Sequence, residues 1–282
     1  MRFATSTGPV RIANDMVGTG APIVMLHGFG ETKEFWREFG FVEACLVRAR
    51  RVVPVDLRGH GDSSRPHDPT AYGAVNLIRD VVAVLDDAGI DRADFLGWGI
   101  GGRVALDIAA FAPQRVRAVA AGGTHPFAES MQLWRDALGK GLETWVDIVE
   151  ARAGGLSATT RQRLLANDPT ALADAAAYDR PDIADALTRS GVPVLLFLGE
   201  DDPRYSLALS FAEQTGAVVI GLARHGSLAP TAVRREILPR ILHFFEEPAD
   251  GMSSLHASGS ASSEPLLHRN TDQTRTISKH SN

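Results

Sequence analysis

The sequence predicts an α/β protein: a mostly parallel, twisted sheet of about eight strands with helices on both faces. Three observations predict it. Several short runs, among them "PIVML" (22–26), "ADFLGW" (93–98) and "VPVLLFLG" (192–199), are apolar without a polar alternation, as strands covered on both faces are. Helical periods fall between most of them, the alternation that builds a parallel sheet. The 282 residues are 44% hydrophobic and 22% charged, which suits a globular chain with one large core.

Taken in order, "MRFAT" and "VRIANDMV" read as two opening strands joined through Thr7-Gly8-Pro9. "PIVML" stops at His27-Gly28, and "RVVPVD" (51–56) runs into "LRGHG". "ADFLGW", "VRAVAAGG" (116–123), "VPVLLFLG" and "AVVIGL" (217–222) complete the strands. Helices are expected over 71–88, 101–111, 208–215 and 231–245. Cys45, the single cysteine, sits in "FVEACLVRARR", expected as a helix facing the core. One cysteine excludes an intrachain disulfide and a cysteine-based metal cluster.

From Thr124 to Ser190 the alternation breaks. No strand is evident, and several short alanine-rich helices are punctuated by Gly and Asp-Pro. The expected organisation is a core domain of residues 1–123 and 191–248, a helical cap inserted late in the sheet over 124–190, and a disordered Ser-rich tail over 249–282. Met131, Trp134, Leu138, Trp145 and Ile148 are candidates for an apolar pocket wall. His256, His268 and His280 in the tail are too widely spaced to suggest a metal site.

Net charge is −5, which argues against a nucleic-acid or anionic-membrane partner. The first residues lack the apolar run of a signal peptide, and no stretch approaches the ~20 apolar residues of a membrane span. A cytoplasmic protein with a small-molecule substrate or ligand is expected, without a cofactor, as a monomer or a homo-oligomer.

The functional question centres on "DFLGWGIGGRVALDIAAF" (94–111). Gly97, Gly99 and Gly102 spell G-x-G-x-x-G, the dinucleotide fingerprint. That reading expects an acid at the end of the next strand, and "VRAVAAGGTHP" has none. It also expects the first βαβ unit, whereas about three strands precede this turn, and Trp98 adds bulk where a phosphate should approach. Alternatively, Gly97 to Gly101 is G-x-S-x-G with its serine replaced by Gly99. An acyl-transfer site then needs an acid, a histidine and backbone donors. "LLFLGEDDP" offers Asp202, with Asp201 as the less well-spaced alternative, and "IGLARHGSLAP" offers His225. "MLHGFG" offers the N–H of Phe29 as a donor, and the start of the next helix offers that of Ile100.

Nucleophile turn, acid, then histidine is the order of the α/β-hydrolase fold, and over about Val10 to Phe245 the chain resembles that superfamily. The resemblance is carried by "HGFG", "DLRGHGDSSRP", "LGWGIGG", "GEDD" and "RHGS". It implies a catalytic pair of His225 and Asp202 and an oxyanion site at Phe29 and Ile100. It further implies a pocket touching Gly28, Trp98, Thr124, His125, Trp134 and Trp145. It makes His27, Asp56, Arg58, His60 and Asp62 framework residues.

The departure is Gly99, at the family's nucleophile position. Glycine cannot attack a carbonyl, although it enters the strained backbone of such a turn at little cost. Ser63, Ser64, Ser227, Thr124 and His125 are not strong replacements. Three readings follow. In the first, His225 is oriented by Asp202 to act on water or on an acidic proton of a small, largely apolar ester, ketone or enol. In the second, the pocket binds without turnover. In the third, Gly99 stands in an otherwise ordinary serine esterase.

Overall fold

The computed structural model describes residues 1–223 and 230–246; the expected tail over 249–282 lies outside them. Eight strands form one sheet in the order β1-β2-β4-β3-β5-β6-β7-β8. They are β1 Arg2–Thr5, β2 Arg11–Asn14, β3 Pro22–Leu26, β4 Arg51–Val55, β5 Ala93–Trp98, β6 Val116–Gly122, β7 Val194–Gly199 and β8 Val218–Leu222. The first two pairings, β1 with β2 and β2 with β4, are antiparallel, and every later pairing is parallel. All eight strands therefore fall where the apolar runs place them.

The helices in chain order are α1 Phe35–Glu38, α2 Phe41–Val47, α3 Ala74–Asp87, α4 Ile100–Phe111, α5 Gln132–Gly139, α6 Leu142–Ala153, α7 Ala158–Leu165, α8 Pro169–Ala175, α9 Ala184–Ser190 and α10 Tyr205–Thr215. The last helical stretch begins as α11 Pro230–Ala232, loosens into a π turn over Val233–Ile237, and closes as α12 Leu238–Glu246. No helix among the described residues is long and apolar enough to cross a membrane.

Continuous apolar strands make sense because the sheet separates two cores. Successive side chains on a strand face opposite ways. Val24 and Leu26 of β3 pack in one core with α3, α4 and Val119, Leu196 and Leu198. Ile23 and Met25 pack in the other with Leu195, Phe197 and the last helix. Cys45 is buried there on α2. Burial pushes its thiol up to about 12, so it packs as a small apolar group rather than a reactive thiolate.

Five helices, α5 to α9, connect β6 to β7, and no named strand lies among them. Met131, Leu138, Trp145, Val146, Leu164 and Leu172 make a third apolar cluster of their own. The ring of Phe29 packs against both this cluster and a sheet core. The last of the five helices behaves differently, since Ile183, Ala184 and Leu187 belong to the α4 side of the sheet core.

The framework residues form buried polar networks around the loop after β4. Lys33 Nζ reaches Asp56 at 2.9 Å and Asp62 at 2.7 Å. Asp56 also accepts the main-chain N–H groups of Lys33 and Asp62. Arg58 grips Asp80 through two nitrogens. His27 is fixed between Gly28 O and the N–H of Leu57. Ser63 and Ser64 bond to the main chain of Ala13 and Arg11 and so fasten this loop to β2.

Candidate active site

The glycine turn is built by two kinds of glycine. A Cβ on Gly97 would lie 2.4 Å from Gly101 O, and one on Gly101 would lie 2.1 Å from Leu26 O. These two residues let α4 seat its first turn against the ends of β5 and β3, so their lack of a side chain serves packing. Gly99 differs. Its φ of 52° and ψ of −113° make the sharp reversal from β5 into α4, yet a Cβ there would meet nothing closer than Gly28 Cα at 3.9 Å. The conformation asks for glycine, but the space around it would admit a side chain.

That space belongs to a cavity of about 380 Å³ at the C-terminal end of the parallel strands. Gly28, Phe29, Trp98, Gly99, Ile100 and Thr124 line it from the sheet, and Met131, Trp134, Trp145, Val149, Leu156 and Leu164 line it from the helical segment. Phe29 stacks on Trp134 with centroids 6.2 Å apart and meets Trp145 edge-on at 5.8 Å. A volume of this size with mostly apolar walls and few polar groups suits a small organic molecule. Of the residues expected in the pocket, Leu138 and Ile148 do not line it, and neither does His125. His125 is buried and packs beside Phe127. Burial, only partly opposed by the Glu129 carboxylate, lowers its pKa.

Gly99 N–H is spent on Gly122 O and Gly101 N–H on His27 O. Between them, the N–H of Ile100 has no partner among the described residues, and neither does that of Phe29. Buried main-chain donors are rarely left unpaired. Both of these residues border the same cavity, and the N-terminus of α4 adds its partial positive charge there.

Asp202, the expected acid, is paired with an arginine. Asp202 is 5% exposed, whereas Asp201 is on the surface. Both oxygens of Asp202 are taken by Arg204, at 2.9 Å from Nε and 2.7 Å from a terminal nitrogen. Burial pulls the Asp202 pKa upward, but the hydrogen bonds and charge of Arg204 outweigh it and hold the carboxyl below its ordinary range. His225 and Ser227 lie outside the described residues.

Sequence reasoning missed three further groups at this cavity. Arg204 follows Asp202 by two residues in "GEDDPR", and that short spacing was a usable signal. Glu31 borders the cavity and is paired with Arg163 of α7 at 2.8 Å; burial raises its pKa against the pull of that arginine. Arg180 precedes α9 and lines the cavity as well. Nothing local marks the last two, which depend on partners more than 40 residues away. Among the described residues no group of three His, Cys, Asp or Glu side chains is placed to hold a metal ion.

Comparison with known proteins places this geometry. The family described as the alpha/beta hydrolase fold matches residues 21–175. Over 114 residues the chain is 34% identical to epoxide hydrolase 3 of Siraitia grosvenorii, covering 40% of this chain and 35% of that one. It is 36% identical over 118 residues to 2-hydroxymuconate semialdehyde hydrolase of Pseudomonas sp. (strain CF600), covering 40% and 41%. These matches thus span less than half the length of either relative. The enol-lactonase from Burkholderia xenovorans LB400 superposes with a TM-score of 0.72 at 23% identity, covering 89% of this chain and 100% of that one. At that identity the likeness is one of fold.

Proposed function

Because the chain belongs to the alpha/beta hydrolase fold family, we propose that it is a hydrolase-like enzyme acting on a small, largely apolar ester-, ketone- or enol-type molecule. In this reading α5 to α8 serve as the cap over the substrate. The observation that carries it is the pair of N–H groups, of Phe29 and Ile100, that have no partner among the described residues and border one apolar cavity beside Gly99. Such donors stabilise an oxygen that gains negative charge in the transition state. An enolate oxygen and a tetrahedral oxyanion fit them equally well.

Gly99 removes the acyl-enzyme route, so the reacting group is water or the substrate itself. His225, outside the described residues, acts as the general base, with Asp202 favouring its protonated form through charge. Relatives named as an epoxide hydrolase and a semialdehyde hydrolase support hydrolytic chemistry on small organic molecules as the starting point.

A second reading, binding without turnover, is favoured by one observation. Arg204 already occupies both oxygens of Asp202, which weakens this carboxylate as a partner for an imidazole. The two readings part on a single series. Gly99→Ser is expected to raise hydrolysis of a short p-nitrophenyl ester by at least ~100-fold, since loss of a triad serine costs on the order of 10⁶ in a well-studied protease. Adding His225→Ala is expected to abolish that gain. If Gly99→Ser hydrolyses no faster and is not labelled by a serine-directed phosphonate, the binding reading replaces the enzymatic one.

A further inference from the structure

Five buried or half-buried arginines of this protein are each paired with a carboxylate. Arg50 pairs with Asp94, Arg58 with Asp80, Arg103 with Asp107, Arg163 with Glu31, and Arg204 with Asp202. Arg180 borders the same cavity as Gly99 and is half-buried, and desolvation lowers its pKa despite the opposing charge of Asp107. Yet no carboxylate among the described residues lies within 4 Å of its guanidinium, and none of them accepts a hydrogen bond from it. Asp107, the carboxylate whose charge acts on it most, is held by Arg103 at 3.1 Å. Glu129 is drawn toward Arg204, 3.8 Å away.

A guanidinium stays charged at any ordinary pH, and one partly withdrawn from water at the edge of a cavity gains from an anionic partner there. Its position is nevertheless fixed. The main chains of Arg180 and Glu129 exchange two hydrogen bonds, at 2.9 and 3.1 Å, in an isolated antiparallel bridge. That bridge ties the segment before α9 to the loop after β6, at the cavity rim. A second, smaller cavity of about 60 Å³ lies on Arg180's other side, with Arg103 and Asp107 in its wall; only the larger one has room for an organic ligand.

We infer that Arg180 is a recognition site for a carboxylate on the ligand, so that the molecule taken by the cavity is an apolar acid whose anionic end lies at Arg180. This names the substrate class of the site proposed above and rests on that cavity being the ligand site. Planar, two-pronged pairing of a guanidinium with a carboxylate is the geometry arginine is made for. Glu129 competes for the same charge across the bridge and sets the threshold an incoming acid must beat.

The test is a binding measurement that needs no turnover. Trp98, Trp134 and Trp145 line the cavity, so quenching of tryptophan fluorescence reports occupancy. The probes are 4-phenylbutyrate and its neutral amide. The unaltered protein is expected to bind the acid about tenfold or more tightly than the amide, the size of a charged hydrogen bond. Arg180→Gln should erase that preference, Arg180→Lys should keep part of it, and Glu129→Gln should strengthen it. The bridge is made by main-chain atoms, so these replacements leave it in place. Equal affinity for acid and amide, binding of neither, or a preference that survives Arg180→Gln would overturn the inference. An Arg180-dependent preference in a protein without turnover would sink the enzymatic reading and leave this one standing. Ester hydrolysis by Gly99→Ser without any acid preference would do the reverse.

Discussion

Two glycines two residues apart do opposite jobs. Gly101 cannot carry a Cβ because the main chain of Leu26 is already there, 2.1 Å from where it would sit. Gly101→Ala should therefore destabilise the fold by about 3 kcal/mol, since backbone must move on both sides. Gly99→Ala has room and meets only the cost of its positive φ, about 1–2 kcal/mol. Urea unfolding of the two variants separates the cases, and equal losses would contradict this division. The motif made position 99 legible, because spacing alone puts it between a strand and a helix. It could not tell which glycines serve packing, because that depends on how closely β3 approaches α4.

At the level of elements, the helical segment is fastened to the donor loop. Arg163 of α7 bonds to Glu31 at 2.8 Å and also to Glu38, while Asn167 Nδ2 donates to Gly30 O at 2.7 Å. Removing one partner from a shielded ion pair leaves the other charge uncompensated. Arg163→Met, which keeps the apolar stem, should cost about 2 kcal/mol and speed amide exchange in residues 28–34 and 156–167 together. Faster exchange confined to one of the two segments would show that they are not mechanically joined. This fastening was invisible beforehand, since the partners are 132 residues apart in sequence and periodicity carries no information about side chains meeting across such a distance. The strands, by contrast, were legible one by one: a parallel sheet covered on both faces demands the apolar runs that the chain shows.

For the whole molecule, acid sensitivity should come from histidines buried in the neutral state. Burial lowers His27 to about 4 and His60 to about 3, from an ordinary 6.5. Between those values the unfolded chain binds more protons than the folded one, so stability is present above about pH 6.5 and lost as pH falls. His27 alone contributes on the order of 3 kcal/mol to that loss. His27→Asn should flatten the pH dependence of urea midpoints between pH 6.5 and 4; an unchanged slope would place the sensitivity elsewhere. The fold class and the end of the sheet that bears the cavity were readable from "HGFG", "LGWGIGG" and "GEDD", because loops at strand ends carry their own sequence signals. The charges at the far side of the cavity were not, because they arrive on helices whose packing no local pattern dictates. The three apolar clusters add a last consequence. The cluster built by α5 to α8 has its own small foundation, and among the described residues it shares a single apolar side chain, Phe29, with the sheet cores. Substitutions that resize the chamber from above can accumulate with little penalty to the sheet below, so ligand preference in this architecture can drift while the scaffold stays as it is.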